Sequence, residues 1–379
     1  MVERKQIALV YDYDVNWIGG TYYILNIIKA INFLPDAEKP SLTIYHDKIN
    51  SLSDIENINY PYITFVGFNY KLSRVAGIIN NICLMTIGKE LITVKLPSKI
   101  VENLYYRTFI IDKVNIRNYY SWVADLQDLY LPQFFKKHEL KLRLAKYKRM
   151  VDEKEPIVFS SNAALDDFNK FYPNNSNTKR VVRFVSISTN NFNSLSIADL
   201  KSKFKIEGDY IIVSNQFWRH KNHMVVLKAF RNLITNNKNI QLVLTGKEYD
   251  YRDPNYTQDL KNYVAENDLQ NKVLFLGFID RDEQLKLMSE SLSIIQPSLF
   301  EGWSTVVEDA KFLKKCIICS DIPVHREQLP ESDLFFDPHD PVSLTKKIEG
   351  VLNGTQSLKV SYDHQSAVLE FARNFISIF

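Results

Sequence analysis

The sequence is poor in cysteine and glycine and contains no long hydrophobic run. Its three cysteines, Cys83, Cys316 and Cys319, are too few for a disulfide framework. The most apolar stretch, residues 22–34, is interrupted by three polar side chains, whereas a membrane-spanning helix needs about 18 or more apolar residues. These absences exclude a disulfide-rich secreted scaffold and a membrane-spanning protein.

Metal-binding patterns are incomplete. Cys316 and Cys319 form a CxxC pair, but neither a second pair nor a histidine pair completes a zinc site, so both are interpreted as buried thiols. His220 and His223 lack the acid of an HExxH motif. The Asp-x-Asp strings at 12–14 and 280–282 are expected by chance among 44 acidic residues. We therefore predict no metal site.

Net charge and the N-terminus indicate the class of partner and the compartment. The chain has 47 Lys and Arg against 44 Asp and Glu, or +3, which is too little to predict nucleic-acid binding. The start, MVERKQIALVYDYD, has only a five-residue apolar run before acidic residues follow. It is typical of a first β-strand and not of a signal peptide. We expect a cytoplasmic protein.

One strongly basic segment leaves two interpretations open. The run KKHELKLRLAKYKR, residues 136–149, contains seven Lys and Arg against one acid. It is either a solvated helix face or a surface that contacts an anionic membrane or a lipid diphosphate acceptor. The neighbouring Phe134, Phe135 and Met150 suit the membrane contact, and they suit a helix packed on a core equally well.

Short β-branched and aromatic runs alternate with amphipathic stretches, which is the pattern of parallel α/β domains. Strands are predicted at 7–11, 41–46, 63–68, 91–96, 119–125, 157–161, 180–187, 210–215, 240–246, 272–277, 292–298 and 316–321. Helices are predicted at 21–31, 131–151, 162–172 and 257–266 and from His223, Arg281 and Ser304. A polar stretch without periodicity, residues 186–205, interrupts this alternation. We predict a first domain at 1–190, a second at 191–360, and an amphipathic helix at 361–379 that packs back on the first.

Glycine is scarce, at 11 residues or about 3% where about 7% is usual, so a glycine near a strand end is informative. Gly19 and Gly20 follow the first strand and open a helix, where backbone N–H groups can approach an anion such as a diphosphate. A role in a tight turn alone is the alternative. The segment lacks GxGxxG and GxxxxGK[ST], so it has neither dinucleotide-binding nor P-loop character. Gly246, Gly277 and Gly302 lie at further strand ends.

The segment PSLFEGWSTVVEDAK, residues 297–311, combines a strand end, a turn and a helix start with three acids. A helix predicted to begin near Ser304 exposes N–H groups that can hold a phosphate, and carboxylates beside it accept hydrogen bonds from sugar hydroxyls. The pattern therefore indicates a site that binds an anion and a polyol together. The acids are Glu301, Glu308 and Asp309.

This segment resembles the E-x7-E motif of the retaining glycosyltransferases called group 1 or family 4, usually written EGFGLPVLEA. Glu301 matches the first acid, and Asp309 takes the position of the second, with Glu308 just before it. Either Glu308 or Asp309 inherits the family's contact with the nucleotide ribose. Lys221, in SNQFWRHKNH, matches the lysine that grips the donor diphosphate. The family's arginine is replaced by Gln216, and Arg219 either substitutes for it or is a solvated loop residue.

Two further segments extend the resemblance across both predicted domains. VLFLGFI, residues 273–279, is similar to a family strand whose following loop contacts the base, which here is Phe278 and Ile279. SWVADLQDLYLPQFF, from Ser121, resembles the D-x-Q-H-x-x-x-P-x-F-F segment of members that build bacterial surface polysaccharides such as O-antigen. Asp125 and Gln127 match it, and Asp128 replaces the histidine.

The resemblance implies a GT-B fold, in which two Rossmann-like α/β domains face each other across a cleft. It implies a retaining, metal-independent hexosyltransferase that acts on a sugar or lipid-linked acceptor without a cofactor, since the NDP-sugar is a substrate. GDP-mannose is the donor suggested by the polysaccharide-type members. Glu301, Lys221 and Asp128 would be catalytic, and Asp125 and Gln127 would lie on the acceptor side. The donor-binding residues would be Gly19, Gly20, Arg219, Lys221, Gly246, Phe278, Ile279, Glu301, Gly302, Trp303, Ser304, Thr305, Glu308 and Asp309.

Two other functions stay open from the sequence. A non-catalytic subunit that binds an NDP-sugar would explain the departures at Asp128, Gln216 and Asp309. A sugar-nucleotide epimerase could use the same fold. For the transferase we expect a cytoplasmic location with peripheral contact at the inner face of the cytoplasmic membrane, and no nucleic-acid partner.

Overall fold

The computed structural model describes residues 3–11, 18–47, 52–69, 72–107, 111–188, 191–235, 240–356 and 362–379. These residues divide between two compact units. Unit 1 comprises Met1–Ile187 together with Gln365–Phe379, and unit 2 comprises Ser188–His364. The division after Ile187 lies close to the boundary predicted after residue 190.

Unit 1 is built on a parallel sheet of seven strands in the order β3-β2-β1-β4-β5-β6-β7. The strands are β1 Gln6–Tyr11, β2 Ser41–His46, β3 Ile63–Gly67, β4 Val101–Arg107, β5 Ile116–Val123, β6 Ile157–Phe159 and β7 Lys179–Val181. The helices of its first segment are α1 Ile18–Asn32, α2 Ser53–Glu56, α3 Arg74–Ile87, α4 Gln127–Tyr130, α5 Lys137–Asp152 and α6 Asn162–Phe171.

Unit 2 repeats the design with a parallel sheet of six strands in the order β10-β9-β8-β11-β12-β13. The strands are β8 Tyr210–Ser214, β9 Gln241–Thr245, β10 Val273–Gly277, β11 Ile294–Gln296, β12 Ile317–Ser320 and β13 Phe335–Phe336. The helices are α7 Ile197–Phe204, α8 His223–Thr235, α9 Tyr256–Glu266, α10 Arg281–Glu290, α11 Thr305–Phe312, α12 Pro323–Gln328 and α13 Pro341–Leu352, and α14 His364–Ser377 follows unit 2.

The central strands are buried along their whole length. Every residue of β8, YIIVS, and of β9, QLVLT, is buried. Continuous apolar runs of this kind form strands that helices cover on both faces, because both sets of alternating side chains then face a core. Two apolar clusters flank the sheet of unit 2, one centred on α8 and the other on α10 and α11.

In unit 1, β7 is shorter than the strand predicted at 180–187, and two further stretches differ more strongly from the sequence prediction. Residues 91–96 were expected to form a strand, but they contribute only an isolated bridge between Val94 and Ile111. The buried Asn80 Oδ1 accepts the backbone N–H groups of Leu91 and Ile92 at 3.1 and 2.9 Å, which removes them from a ladder. The unpredicted β4 instead lies between β1 and β5.

The C-terminal helix α14 packs on unit 1. Phe375 is buried and meets the ring of Tyr105 edge-on, with 5.0 Å between the ring centroids. Lys5 Nζ donates to the carbonyl oxygens of Ile376 and Phe379 at 3.2 and 2.7 Å. A residue just before β1 thus holds the end of α14. Among the residues described, no helix is both long and apolar enough to cross a membrane.

Candidate functional site

The strand order of unit 2 reverses between β8 and β11. In an open parallel sheet, the loops that leave two such neighbouring strands run in opposite directions and open a crevice at their carboxyl ends. The segments there are the loop after β8, which contains Lys221, and the loop after β11, which contains Glu301. The sequence predicted both residues as functional, and the structure brings their side chains together.

Lys221 and Glu301 form a partly buried ion pair at this crevice. The distance from Lys221 Nζ to Glu301 Oε1 is 2.5 Å, and the two side chains are 15% and 10% exposed. The same oxygen accepts from Ser298 Oγ at 2.7 Å and from Gln296 Nε2 at 2.9 Å. Three donors therefore fix one carboxylate oxygen in a region with little water, where charge interactions are strong.

A second layer of polar groups holds this pair. Asn215 Nδ2 donates to Gln296 Oε1 at 2.7 Å, which links the ends of β8 and β11. Ser320 Oγ, at the end of β12, donates to the carbonyl oxygen of Ser298 at 2.5 Å. These residues were not predicted from the sequence, although a glutamine and serines that end otherwise apolar strands are a visible signal.

His325, the third residue of α12, belongs to the same cluster and was also missed. Its side chain is fully buried, and Nδ1 lies 2.9 Å from the carbonyl oxygen of Ser320, so the ring donates from Nδ1. Burial lowers the pKa of His325 to about 4, and the negative charge of Glu301 only partly opposes this shift. The imidazole is therefore neutral near pH 7. Its buried Nε2 has no hydrogen-bond partner among the described residues.

Helix α11 begins at Thr305, one residue after the predicted start, because Ser304 is its N-cap. Ser304 Oγ accepts the N–H of Val307 at 3.4 Å. The backbone N–H of Ser304 donates to Gln328 Oε1 at 3.0 Å, while Gln328 Nε2 donates to the Ser304 carbonyl oxygen at 3.0 Å. The amide of Ser304, predicted to bind a donor phosphate, is therefore used within the protein. Gly302 and Trp303 are buried beside it, and Thr305 is half-buried.

The two acids of α11 have different partners. Asp309 binds Arg281 of α10 through both carboxylate oxygens, at 2.5 and 2.9 Å. Glu308 Oε1 accepts from Lys311 Nζ at 3.1 Å and from Gln328 Nε2 at 2.8 Å, whereas its buried Oε2 has no partner within the described structure. Burial raises the pKa of Glu308. Of the two acids, Glu308 keeps an oxygen for another group.

The basic residues near Lys221 form ion pairs with other acids. Arg219 is 45% exposed and pairs with Asp253 and, at 3.8 Å, with Asp259. Arg252, which the sequence analysis missed, is buried and pairs with Asp250 at 2.9 Å. Arg219 therefore binds two acids, one just before α9 and one within it, whereas Lys221 binds Glu301.

The histidines on either side of Lys221 are buried. The ring of His223 stacks on Phe217 with 4.5 Å between centroids. Burial lowers the pKa of His223 to about 3 and that of His220 well below its usual value, so both are neutral. No three His, Cys, Asp or Glu side chains in the described ranges are grouped so that they could hold a metal ion.

Gly246 directly follows β9, and Phe278 directly follows β10. These two strands lie on the side of β8 away from β11. Gly246 has φ +147°, and a Cβ there would lie 2.1 Å from the carbonyl oxygen of Asn215. Only glycine permits this close approach of the β8 and β9 loops. Phe278, after β10, is 66% exposed, whereas Ile279 packs partly against the core of unit 2.

The predicted residues of unit 1 are divided between a helix start and a buried turn. Gly19 and Gly20 lie in the first turn of α1, and a Cβ at Gly19 would meet nothing within 4 Å. The loop before them, residues 12–17, lies outside the described residues. Asp125 Oδ1 accepts the N–H of Gln127 at 3.1 Å.

Asp128, predicted as catalytic, is fully buried beside Gln127 in α4. Its Oδ1 accepts from Tyr147 Oη of α5 at 3.0 Å, and its Oδ2 has no partner in the part of the chain that is described. Burial raises the pKa of Asp128. The acid that replaces the family's histidine thus contacts α5 in the core of unit 1.

The site lies within a segment that matches a known family. Residues 197–365 match the family model described as Glycosyl transferases group 1. Nearly all of unit 2 lies within this match. The matched range contains Lys221, Glu301, Glu308 and Asp309, so the resemblance of these motifs agrees with the family match. Gly19, Gly20, Asp125, Gln127 and Asp128 lie outside it.

Two curated proteins with similar sequences carry names of mannosyltransferases. The chain is 25% identical to the O-antigen chain mannosyltransferase RfbU of Salmonella typhimurium over 237 residues, which are 62% of this chain and 61% of that protein. It is 27% identical to the serotype-specific mannosyltransferase WbdA of Escherichia coli over 129 residues, 34% of this chain and 15% of that protein. The chain thus matches less than two thirds of the length of each.

Solved structures show the fold of the whole chain. A glycosyltransferase from Rickettsia africae covers 99% of this chain at a TM-score of 0.66 and 15% identity, with 97% of its own length matched. HepE of Anabaena, solved with UDP and glucose, covers 99% at 0.67 and 13% identity, with 99% of its own length matched. The fold of the chain is therefore GT-B, with two parallel α/β units, as predicted.

Proposed function

We propose that the protein is a retaining glycosyltransferase of surface-polysaccharide biosynthesis. It transfers a hexosyl or deoxyhexosyl group from an NDP-sugar to a sugar or lipid-linked oligosaccharide acceptor, at the cytoplasmic face of the membrane and without a cofactor or metal. The observation that carries this proposal is the partly buried Lys221–Glu301 pair, which lies at the strand-order reversal of a unit that matches the group 1 model. The names of RfbU and WbdA support mannose as the transferred sugar, and hence GDP-mannose as the first donor to test.

The chemistry proposed for Lys221 follows from the charge that develops in glycosyl transfer. As the glycosidic bond breaks, negative charge grows on the departing diphosphate, and a fixed cation in a region of low dielectric stabilises that charge. Lys221 is such a cation, since Glu301 already holds its ammonium group in place. Glu301 accepts hydrogen bonds from hydroxyls of the donor sugar. The diphosphate takes the acceptor proton, so the protein supplies no nucleophile.

The nucleotide is held by the residues around α11 and β10. Either Glu308 or Asp309 binds the ribose. Both oxygens of Asp309 bind Arg281, and Oε2 of Glu308 has no partner within the described structure but is buried. The exposed ring of Phe278 stacks on the base, with Ile279 beneath it. Gly246 lets the backbone approach the ligand closely, and the N–H groups of Gly302, Trp303 and Thr305 face the phosphates.

Unit 1 supplies the acceptor side. Gly19 and Gly20 leave the start of α1 open to an anionic group. Asp125 and Gln127 bind the acceptor sugar. The buried Asp128 holds these residues against α5 through Tyr147. In this proposal Arg219 orders the α9 loop through Asp253, and it does not replace the family's arginine.

Consumption of labelled donor with and without an acceptor tests this function. A glycosyltransferase releases free GDP and labels the acceptor only when both substrates are present, and an α-linked donor yields an α-linked product if configuration is retained. An epimerase changes the sugar without an acceptor. A binding subunit leaves the donor intact, and either of these two results would contradict the proposal.

A further inference from the structure

Helix α3 of unit 1 exposes a continuous apolar stripe. The side chains of the stripe are each between 42% and 67% exposed, and they are Val75, Ile78, Ile79, Ile82 and Met85. Their spacing of three and four residues places them on one face of the helix. Scattered apolar residues are normal on a protein surface, but a contiguous apolar face on a folded helix marks a surface that binds something apolar.

The opposite face of α3 is anchored, so the stripe cannot turn inward. Leu84 and Asn80 are buried, and Asn80 holds the following segment through the N–H groups of Leu91 and Ile92 and the carbonyl oxygen of Ile92. Ser73 caps the helix start, and Gly88, at φ +72°, ends the helix. A helix fixed at both ends presents its apolar face permanently to the surroundings.

Helix α5, which packs against α3, carries the basic run. An ion pair between Arg149 of α5 and Glu90 joins the two elements. Lys136, Lys137 and Lys141 are exposed at the start of α5. The acids close by are engaged, since Glu139 pairs with Arg143 at 3.1 Å and Glu90 pairs with Arg149. Unit 1 therefore carries an apolar stripe on α3 and exposed positive charge on the helix that packs against it.

We propose that the α3 stripe, together with Lys136, Lys137 and Lys141, docks on an anionic lipid bilayer. An amphipathic helix that lies in the membrane interface buries its apolar side chains at the boundary of headgroups and acyl chains, while lysines beside it attract anionic lipids. The composition of the stripe favours lipid over a protein partner. It consists of aliphatic side chains and methionine, without the Trp, Tyr and Arg that dominate protein interfaces.

This inference rests on the proposed location at the cytoplasmic face of the membrane and names the surface that makes the contact. The surface lies in unit 1 and needs no contribution from the nucleotide site. It assigns the membrane contact to α3 as the inserted element and to α5 as the electrostatic one. The interpretation of the basic run as a merely solvated face does not account for the stripe beside it.

Vesicle flotation of the full chain tests the proposal. The probes are vesicles of phosphatidylcholine alone and vesicles with about one-third phosphatidylglycerol. We expect binding to the anionic vesicles only, weakened by salt because exposed charges are screened. Ile78→Gln with Ile82→Gln removes the apolar centre of the stripe, keeps good helix formers and should lower binding at least tenfold. Val342→Gln, at an exposed apolar position of α13, is the matched control and should bind as wild type.

Charge-reversal variants measure the electrostatic contribution to vesicle binding separately from that of the apolar stripe. Lys137→Glu with Lys141→Glu should lower binding to anionic vesicles at least tenfold at low salt. Lys228→Glu with Lys346→Glu, at exposed positions of α8 and α13, changes the net charge equally and should have little effect. Absence of wild-type binding to anionic vesicles, or unchanged binding of the α3 variant, would overturn the proposal.

Oligomeric state and nucleotide-sugar binding are the two controls on the α3 variant. If this variant converts a wild-type dimer to a monomer while vesicle binding persists, the stripe is an interface between copies of the chain and the membrane proposal is wrong. The thermal shift with nucleotide sugars should be the same in the α3 variant and the wild type. Loss of vesicle binding is thereby distinguished from failure of the donor site.

Discussion

At the scale of single residues, the Lys221–Glu301 pair is poorly explained by a contribution to the folding stability of unit 2. Removing two opposite charges from water costs several kcal/mol per ion, and replacing such pairs by apolar side chains is often neutral or stabilising. Here three donors converge on Glu301 Oε1. This arrangement supplies the pre-oriented charge that a departing diphosphate requires.

We expect Lys221→Ala to lower kcat more than tenfold, because the charge that stabilises the departing diphosphate is lost. Arg219→Ala is the matched control, since Arg219 is exposed and binds Asp253 instead of Glu301. It should change kcat only a few-fold. Steady-state kinetics on variants with native circular dichroism check both, and an unchanged kcat in a folded Lys221→Ala protein would remove the assigned role.

His325 predicts a pH dependence of stability. The pKa of this histidine falls from its ordinary value of 6.5 to about 4 in the folded protein, so the unfolded chain binds the proton first as pH drops. Stability is therefore lost between about pH 6.5 and 4 as the unfolded state is protonated. From pH 7 to pH 5, the contribution of this one group is about 2 kcal/mol.

We expect His325→Gln to reduce the stability difference of unit 2 between pH 7 and pH 5 by about that amount. Urea unfolding at the two pH values measures it. The exposed His339→Gln variant should keep the wild-type difference. If His325→Gln also kept it, the buried imidazole would not be the group that titrates.

At the scale of secondary-structure elements, strands with an unbroken aliphatic run could be predicted from the sequence. Strands whose position depends on contacts with distant segments could not. β8 and β9 were predicted because each contains an unbroken aliphatic run, IIV in β8 and LVL in β9. β4, VENLYYR, was missed since Glu102 and Asn103 interrupt its apolar pattern. Its place between β1 and β5 is decided by contacts distant in sequence.

Helix α14 packs in unit 1, although the whole of unit 2 separates it in sequence from the rest of that unit. Phe375 is fully buried against Tyr105, and its ring centroid lies 5.8 Å from that of Phe379. We expect Phe375→Ala to destabilise unit 1 by about 3–5 kcal/mol, through lost burial and the cavity left behind.

Hydrogen exchange followed separately in the two units checks this prediction. Protection should fall in β1 and β4 of unit 1 and stay unchanged in β8 and β9 of unit 2. The matched control is Phe33→Ala, since Phe33 is 59% exposed in the same unit and its removal should cost less than about 0.5 kcal/mol. Equal loss of protection in both units would contradict the assignment of α14 to unit 1.

At the scale of the whole molecule, the sequence predicted the two α/β units, and the structure confirms the GT-B fold. Part of the candidate site was also visible, because Lys221 and Glu301 lie in motifs that are local in sequence. The glutamine and serines at the strand ends are visible in the sequence, but their partners could not be predicted. Gln296 meets Asn215, and Gln328 meets Ser304, only through tertiary contacts that no local pattern encodes.

The proposed activity depends on unit 2 binding a nucleotide sugar through Lys221 and Glu301. Thermal unfolding with GDP-, UDP- and dTDP-sugars measures this binding, because a ligand that binds only the folded state raises the apparent stability. We predict that one nucleotide class, with GDP-mannose first, raises Tm of the wild type, and that Lys221→Ala reduces this shift. No shift with any of the three, or an equal shift in the Lys221→Ala variant, would contradict the assignment of the donor site.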